Sequence, residues 1–579
     1  MRYPTLYNKG SSRQMVDVFK GYNHNLRIND GEFFDMKNMT SDYSPVLSPR
    51  KKRGIYASPA SPTGLIAKDA LCYVDGADFV MNEYRIDMGL SDEPKQIISM
   101  GAYVIILPDK KYINTANIGD RGNIEAEFTT SGTTSFTLSK MDGAPYDVTY
   151  PPSPDEPSGA SNMALWIDTS STPHALKQYS ESAGMWVSVA TTYIKISHPN
   201  IGKSFERYDG ITISGLQETG AASLEGAAVV WAKDDDYIVV VGILDEVVDV
   251  DLPISITRKM PNMDFVVECN NRLWGCRYGT AVDGSIVNEI YASKLGDFKN
   301  WNCFMQMSTD SWVGSVGTDG QFTGAITHMG YPIFFKENVL HKVYISGSGA
   351  HGIQDTACRG VQKGSEKSLA IVNETLFYKA RSGIVAYDGS LPTEASYALG
   401  NEVYSDAVGG SHGNKYYVSM KGADDTWNLF VYDMGKGMWH KEDDLRADCF
   451  CSCRGELYAI DHNGRNIITM LGSGTEDADE VEWMVETGEI GISSPDMKYI
   501  SRLTVRLMLE TESTCRFYAK YDFNDEWEYM FTLTGSNLKS FTIPIRPKRC
   551  DHMKLRIEGV GAAKIYSFTK TIEQGSELS

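Results

Sequence analysis

The chain has 579 residues, 42% of them hydrophobic, enough for several packed units rather than one core. Lys plus Arg is 55 against 75 for Asp plus Glu, a net charge of −20, which argues against broad gripping of nucleic-acid phosphates. No apolar run is long enough for a membrane helix and no cofactor motif (Walker A, HExxH or a Rossmann glycine pattern) is present, so neither a span nor a cofactor is expected.

The N-terminus, Met1–Gly10, is polar and lacks an apolar secretory segment, so the ten cysteines are expected as reduced thiols. Gly21-Tyr22-Asn23, the stretch Ile28–Met39 and Pro45–Arg50 follow, closing on the basic run Arg50–Arg53. That run reads as a solvated turn before it reads as a contact for DNA phosphates. Ala70–Val74 and Ala102–Ile106 look like short strands.

Residues 121–257 differ. A Ser/Thr/Gly stretch, Thr129–Ser139, precedes a proline-rich linker, Pro151–Pro157, and Trp-bearing strands at Ala164–Ile167 and Met185–Val189. This predicts a small β domain carried on a loop.

From 258 onward an internal repeat appears. Its apolar-aromatic units end on Trp274, Phe334, Phe377, Tyr417 and Tyr458, mostly about 40 residues apart, the length of a four-stranded propeller blade. Gly409–Trp439 is the clearest unit and resembles a kelch blade. Cys449, Cys451 and Cys453 alternate near His440 and His462; with no CxxC pair, they read as small buried blade residues rather than zinc ligands. The final hundred residues alternate polar and apolar at Arg502–Leu507, Cys515–Tyr521 and Met553–Ile557, as half-buried strands of a sandwich do.

The predicted fold is therefore all-β: a six- or seven-bladed β-propeller from 54–120 and 258–470, an N-terminal arm or closing segment at 1–53, an inserted β domain at 121–257 and a C-terminal β-sandwich at 471–579.

Catalytic constellations are weak. Asp264, Asp297, Asp388 and Asp433 fall at strand ends, where aspartates make ordinary turns. Cys550, Asp551 and His552 hold triad chemistry, but neighbours on a strand point to opposite sides. The chain is expected not to be an enzyme.

The segments 21–54, Asn288–Ser293 with Asp297–Trp301, and Arg549–Ser567 resemble phage tail nozzle and head–tail stabilisation proteins. The resemblance implies a virion structural protein, assembled in a bacterial cytoplasm as a ring of six subunits. Such a ring would touch other tail or portal proteins and surround DNA that passes without sequence recognition. An assembly arm would then use Tyr22, Asn23, Phe33, Phe34, Asn38 and Arg50. The alternative is a receptor- or glycan-binding tail-tip protein that meets a host surface glycan through Trp483, Tyr521 and Trp527.

Overall fold

A computed structural model describes residues 10–281, 284–476, 478–494, 496–522 and 524–574. Apart from four single 3-10 turns, the regular structure among these residues is strand. The molecule is a β-propeller with two additions. Successive four-stranded antiparallel sheets occupy 62–87, 96–123, 265–315, 324–357, 370–394 and 404–441. A further sheet takes three strands from 447–469 and a fourth, Ile55–Ala57, from the other end of the chain.

Except between the sheets of 324–357 and 370–394, the first strand of each sheet packs beside the first strand of the next, and Ala447–Cys453 returns to Pro62–Ala67. Between the sheets of 324–357 and 370–394 the join is a shared core of Ile333, Phe335, Leu376 and Tyr378. The ring is thus closed by strand exchange between the ends of the chain, Ile55–Ala57 supplying the outer strand of the last sheet.

The aromatic repeat marks the second strand of each sheet. Trp274, Phe334, Phe377 and Tyr417 are all buried between neighbouring sheets, as the middle of a blade requires. The longer first spacing arises from the connection 293–311, which folds Phe298 and Trp301 into the core. Ala70–Val74 and Ala102–Ile106 also fall on second strands.

The insertion starts and ends later than its sequence suggests. Arg121–Asn123 still completes a propeller sheet, whereas Ser255–Arg258 pairs with Ala126–Thr129 at the insertion's root. Its own core contains Phe136, Ile194, Ile196, Ile211, Ile238 and Ile256. A small outlying sheet, Tyr150–Ser153 to Met185–Ser188, packs Trp166 edge-on against Trp186.

The N-terminal segment welds propeller to C-terminal module. Tyr22 pairs with Trp439 on the outer strand of a blade, and Gly21–Tyr22 runs parallel to Glu32–Lys37. That strand then pairs with Glu482–Thr487. Gly21 has a φ of +85°, and a Cβ there would lie 2.2 Å from the Trp439 carbonyl oxygen, so only glycine fits.

The C-terminal module is built on one 24-residue strand, Lys498–Tyr521. Its first half pairs with Ala563–Gln574, its second half with Met553–Val560, and Glu528–Ile543 covers its other side. The alternation of buried residues breaks at Glu510–Glu512, so each half buries its own face in a common core with Trp483, Phe517 and Ile557.

Candidate functional site

On the face where the first strands begin, a cleft of about 240 Å³ lies between the sheets of 404–441 and 447–469. Glu366, Lys367, Asp406, Trp427, Arg446 and Asp448 line it. Two irregularities build it. The ladder of Tyr404–His412 slips register between Ser405 and Val408, and that of Ala447–Cys453 slips between Ala447 and Cys449. Asp406 and Asp448 sit in these bulges, and Asp406 has a φ of +45°. Bulges beside a cleft re-aim side chains that a regular strand would turn elsewhere.

The surroundings fix each group. The amide of Ala407 donates to Ser365 Oγ at 3.1 Å, which ties the first bulge to the turn carrying Glu366 and Lys367. Lys367 Nζ donates to the Asp448 carbonyl at 3.0 Å, and His462 Nδ1 lies 2.8 Å from the Asp448 carboxylate. Trp427 opens the third strand of its blade and is half-buried. The Arg446 guanidinium stands over the indole at 4.9 Å. Among the described residues, Arg446 enters no ion pair, and neither Glu366 nor Asp406 pairs with a cation. The cleft therefore presents Glu366, Asp406 and Arg446, outside any ion pair of the described residues, beside an aromatic surface.

A larger cavity of about 480 Å³ lies on the opposite face, under the N-terminal segment. Its polar groups are mostly engaged with one another. Lys415 reaches Asp42 at 2.6 Å, Ser41 Oγ donates to Asp433 at 2.6 Å and Arg53 meets Glu442 at 2.6 Å. Size alone does not make it the better site.

The residues expected in an assembly arm are used inside this chain. Tyr22 and Phe33 are in the core, and Asn23 donates to Glu32 at 3.0 Å. Phe34 stacks on His24, with Lys554 over its ring at 4.5 Å. Asn38 donates to the Glu482 carbonyl at 2.7 Å, and Arg50 donates to Asn38 at 2.8 Å. Arg50 and Arg53 pair with Glu442 and Asp443, so half of the basic run is buried ion pairing rather than a solvated turn.

The expected glycan contacts are corrected as well. Trp483 is 2% exposed and donates to the Gly561 carbonyl at 3.0 Å, and Tyr521 is buried. Neither reaches a ligand. Trp527 keeps partial exposure beside Arg556, whose guanidinium lies 4.3 Å from its ring.

All ten cysteines are free. Cys449, Cys451 and Cys453 pack with Leu65, Ala67 and Tyr73 at the seam where the ring closes. Among the described residues no group of three or more His, Cys, Asp or Glu side chains is arranged to hold a metal ion. Asp551 and His552 do converge, at 2.9 Å, because the strand ends at Cys550 and they lie beyond it. Cys550 turns instead to the Lys498 carbonyl, and burial pushes its thiol up to about 11. The four strand-end aspartates anchor separate turns: Asp297 accepts from Asn300, Asp388 from Ser390 and Asp433 from Ser41, while Asp264 accepts from the Tyr278 amide.

No family model and no curated protein matches the chain. Among solved structures it is similar to an acylaminoacyl peptidase from Pyrococcus horikoshii at 10% identity and a TM-score of 0.23, covering 54% of this chain and 55% of the peptidase. It is similar to apo AztD from Citrobacter koseri at 11% identity and a TM-score of 0.26, covering 75% and 91%. An exo-β-1,3-galactanase from Phanerochaete chrysosporium, bound to β-1,3-galactotriose, shares 8% identity over 53% of this chain and 94% of its own, with a TM-score of 0.20. The chain thus spans about half the length of the peptidase.

These matches correct two expectations. They run to glycoside hydrolases and peptidases rather than phage tail components, so the assignment to a virion and the reading as a non-enzyme are both withdrawn. At such TM-scores the likeness carries no activity or substrate over to this chain.

Proposed function

We propose that the protein binds a saccharide in the cleft between the blades of 404–441 and 447–469, on a ring of seven blades. The seven-blade reading is supported by the order of first-strand contacts, which returns from Ala447–Cys453 to Pro62–Ala67 after the seventh sheet. The saccharide reading is carried by one observation: the Trp427 indole stands beside Glu366, Asp406 and Arg446, which enter no ion pair among the described residues.

A sugar offers vicinal hydroxyls, each both donor and acceptor, and an apolar ring face. Asp406 and Glu366 accept from hydroxyls, Arg446 donates to them, and the indole packs against C–H groups. Immersion of both bulge aspartates in a mixed-charge cleft suits a neutral polyol better than a dense anion, which would face Glu366, Asp406 and Asp448 together.

Glycan-array screening followed by titration calorimetry tests the reading. Trp427→Ala should weaken the best glycan by about 30-fold, the equivalent of roughly 2 kcal/mol for a buried aromatic anchor. Asp406→Asn should weaken it about tenfold, as for a charged hydrogen bond. A protein that binds no glycan, or one whose affinity is untouched by Trp427→Ala, would count decisively against this site.

A further inference from the structure

The first half of the C-terminal module is a four-stranded antiparallel sheet whose two edges pair with no further strand among the described residues. Its order is Ser11–Val16, Ala563–Gln574, Lys498–Tyr521 and Glu528–Ile543. Both edge strands stand out from the body. Residues 11–15 are exposed on both faces, and so are residues 537–540 at the other edge. An unprotected edge presents a row of unpaired backbone donors and acceptors, and natural sheets normally blunt or cover it. Neither edge carries a proline at these positions; the second bends at one bulge, where the ladder slips register between Ser536 and Lys539, and each exposes an apolar side chain, Met15 and Leu538.

We propose that the edge strand 11–16 of one copy pairs with the edge strand 536–543 of a second copy of this chain, head to tail, so that the sheet continues from one subunit into the next. Three features favour a second copy as the occupant. The first is direction. Every neighbour in the sheet is antiparallel, so the two edge strands of one molecule run in opposite directions. A second copy set alongside in the same orientation therefore brings its strand 11–16 antiparallel to 536–543, and the alternation continues.

The second is facing. Val16, Phe568, Val505 and Phe541 lie in one row across the sheet on the core side, so Met15 and Leu538 share the outer side. A register that sets Met15 opposite Leu538 also sets Arg13 opposite Ser540 and Gln14 opposite Lys539. It keeps inward residues with inward residues over the five positions 538–542, up to the bulge. The third is charge. In this register both cations face neutral partners. A symmetric pairing of 536–543 with itself would instead place Lys539 opposite or diagonal to the copy's own Lys539, which is unfavourable. Head-to-tail contacts of this kind build rings or open chains rather than closed dimers.

Disulfide trapping tests the geometry in the full chain. Arg13→Cys and Ser540→Cys are exposed substitutions that leave the core untouched, and opposite residues on antiparallel strands lie within disulfide reach. The two single variants mixed under mild oxidation should give a covalent dimer that neither gives alone. A chain carrying both changes should give a ladder of higher multimers on a non-reducing gel, with unchanged melting. Sedimentation of the unmodified protein should show assemblies that dissociate when residues 1–16 are deleted. Dimers from Ser540→Cys alone would overturn the proposal in favour of symmetric pairing. A monomer in sedimentation with no cross-link in any mixture would overturn it altogether.

Discussion

Lys379 shows what a single buried charge does to this fold. It lies on the second strand of its blade, almost fully buried, and donates to Gln362 Oε1 and the Ala380 carbonyl at 2.7 Å each. Neither partner is an anion, so burial lowers its pKa from 10.5 to about 8. Between those values the unfolded chain holds the proton and the folded chain does not, so stability rises with pH across that window. Below pH 8 both states are protonated and the penalty is fully present. The displacement corresponds to on the order of 3 kcal/mol. Urea unfolding of the wild type and Lys379→Met at pH 7.5 and pH 10.5 measures this directly. The wild type should gain on the variant by about that amount as pH rises, and parallel pH profiles would show that Lys379 is not desolvated in this way.

At the scale of elements, the critical junction is two residues long. Gly21–Tyr22 joins the blade strand Met438–Lys441 to the C-terminal sheet, and the Trp439 carbonyl occupies the space a side chain at 21 would need. Gly76 has a similar left-handed φ of +57° but open space around it. Gly76→Ala should therefore cost only the backbone strain, about 1–2 kcal/mol, whereas Gly21→Ala adds a backbone clash and should cost about 3 kcal/mol or more. Chemical denaturation of the pair separates the two terms, and equal losses would place the strain rather than the contact in charge. The blades were legible in sequence because each repeats a buried aromatic at the same point of its second strand, from Trp274 to Tyr417. The junction was only half legible. The glycine and the apolar-polar alternation of 21–53 pointed to docking or to ring closure, but which strand they would meet depends on a pairing more than 400 residues away. The cleft was not legible at all. Asp406 and Asp448 read as ordinary strand residues, and only the register slips turn them toward Trp427. Conversely, Trp483 and Tyr521 are core aromatics, the commoner reading of such residues in sequence; the glycan alternative stays open there because an alternating strand does not reveal which face is buried.

The whole molecule joins units of different independence. The C-terminal module shares one continuous core with the N-terminal segment and two blades, running from Phe33 and Trp439 to Trp483 and Phe517, so it should unfold together with that side of the propeller. The insertion is different. The chain leaves the ring after Asn123 and returns near Met260, and Ala126 pairs directly with Arg258 at the root, so the two ends are one strand spacing apart. Its apolar residues form a separate cluster rather than extending the propeller core. Polar contacts do cross the boundary: Asn300 Nδ2 donates to Asp209 at 2.9 Å, and the Gly210 amide donates to Asn300. Lys294 and Cys303 also reach the Tyr208 carbonyl and Asn302 reaches Thr212, but these contacts leave the two apolar cores separate, so each unit should carry its own folding cooperativity. Residues 124–260 expressed alone should give the far-ultraviolet spectrum of a β protein and a single sigmoidal melt. The remaining chain, with Asn123 joined to Pro261 through a short glycine linker, should retain saccharide binding at Trp427, because the cleft lies on blades 404–441 and 447–469, away from the insertion's root. Loss of cooperative melting in both pieces would show that the contacts through Asn300 couple the two cores into one folding unit.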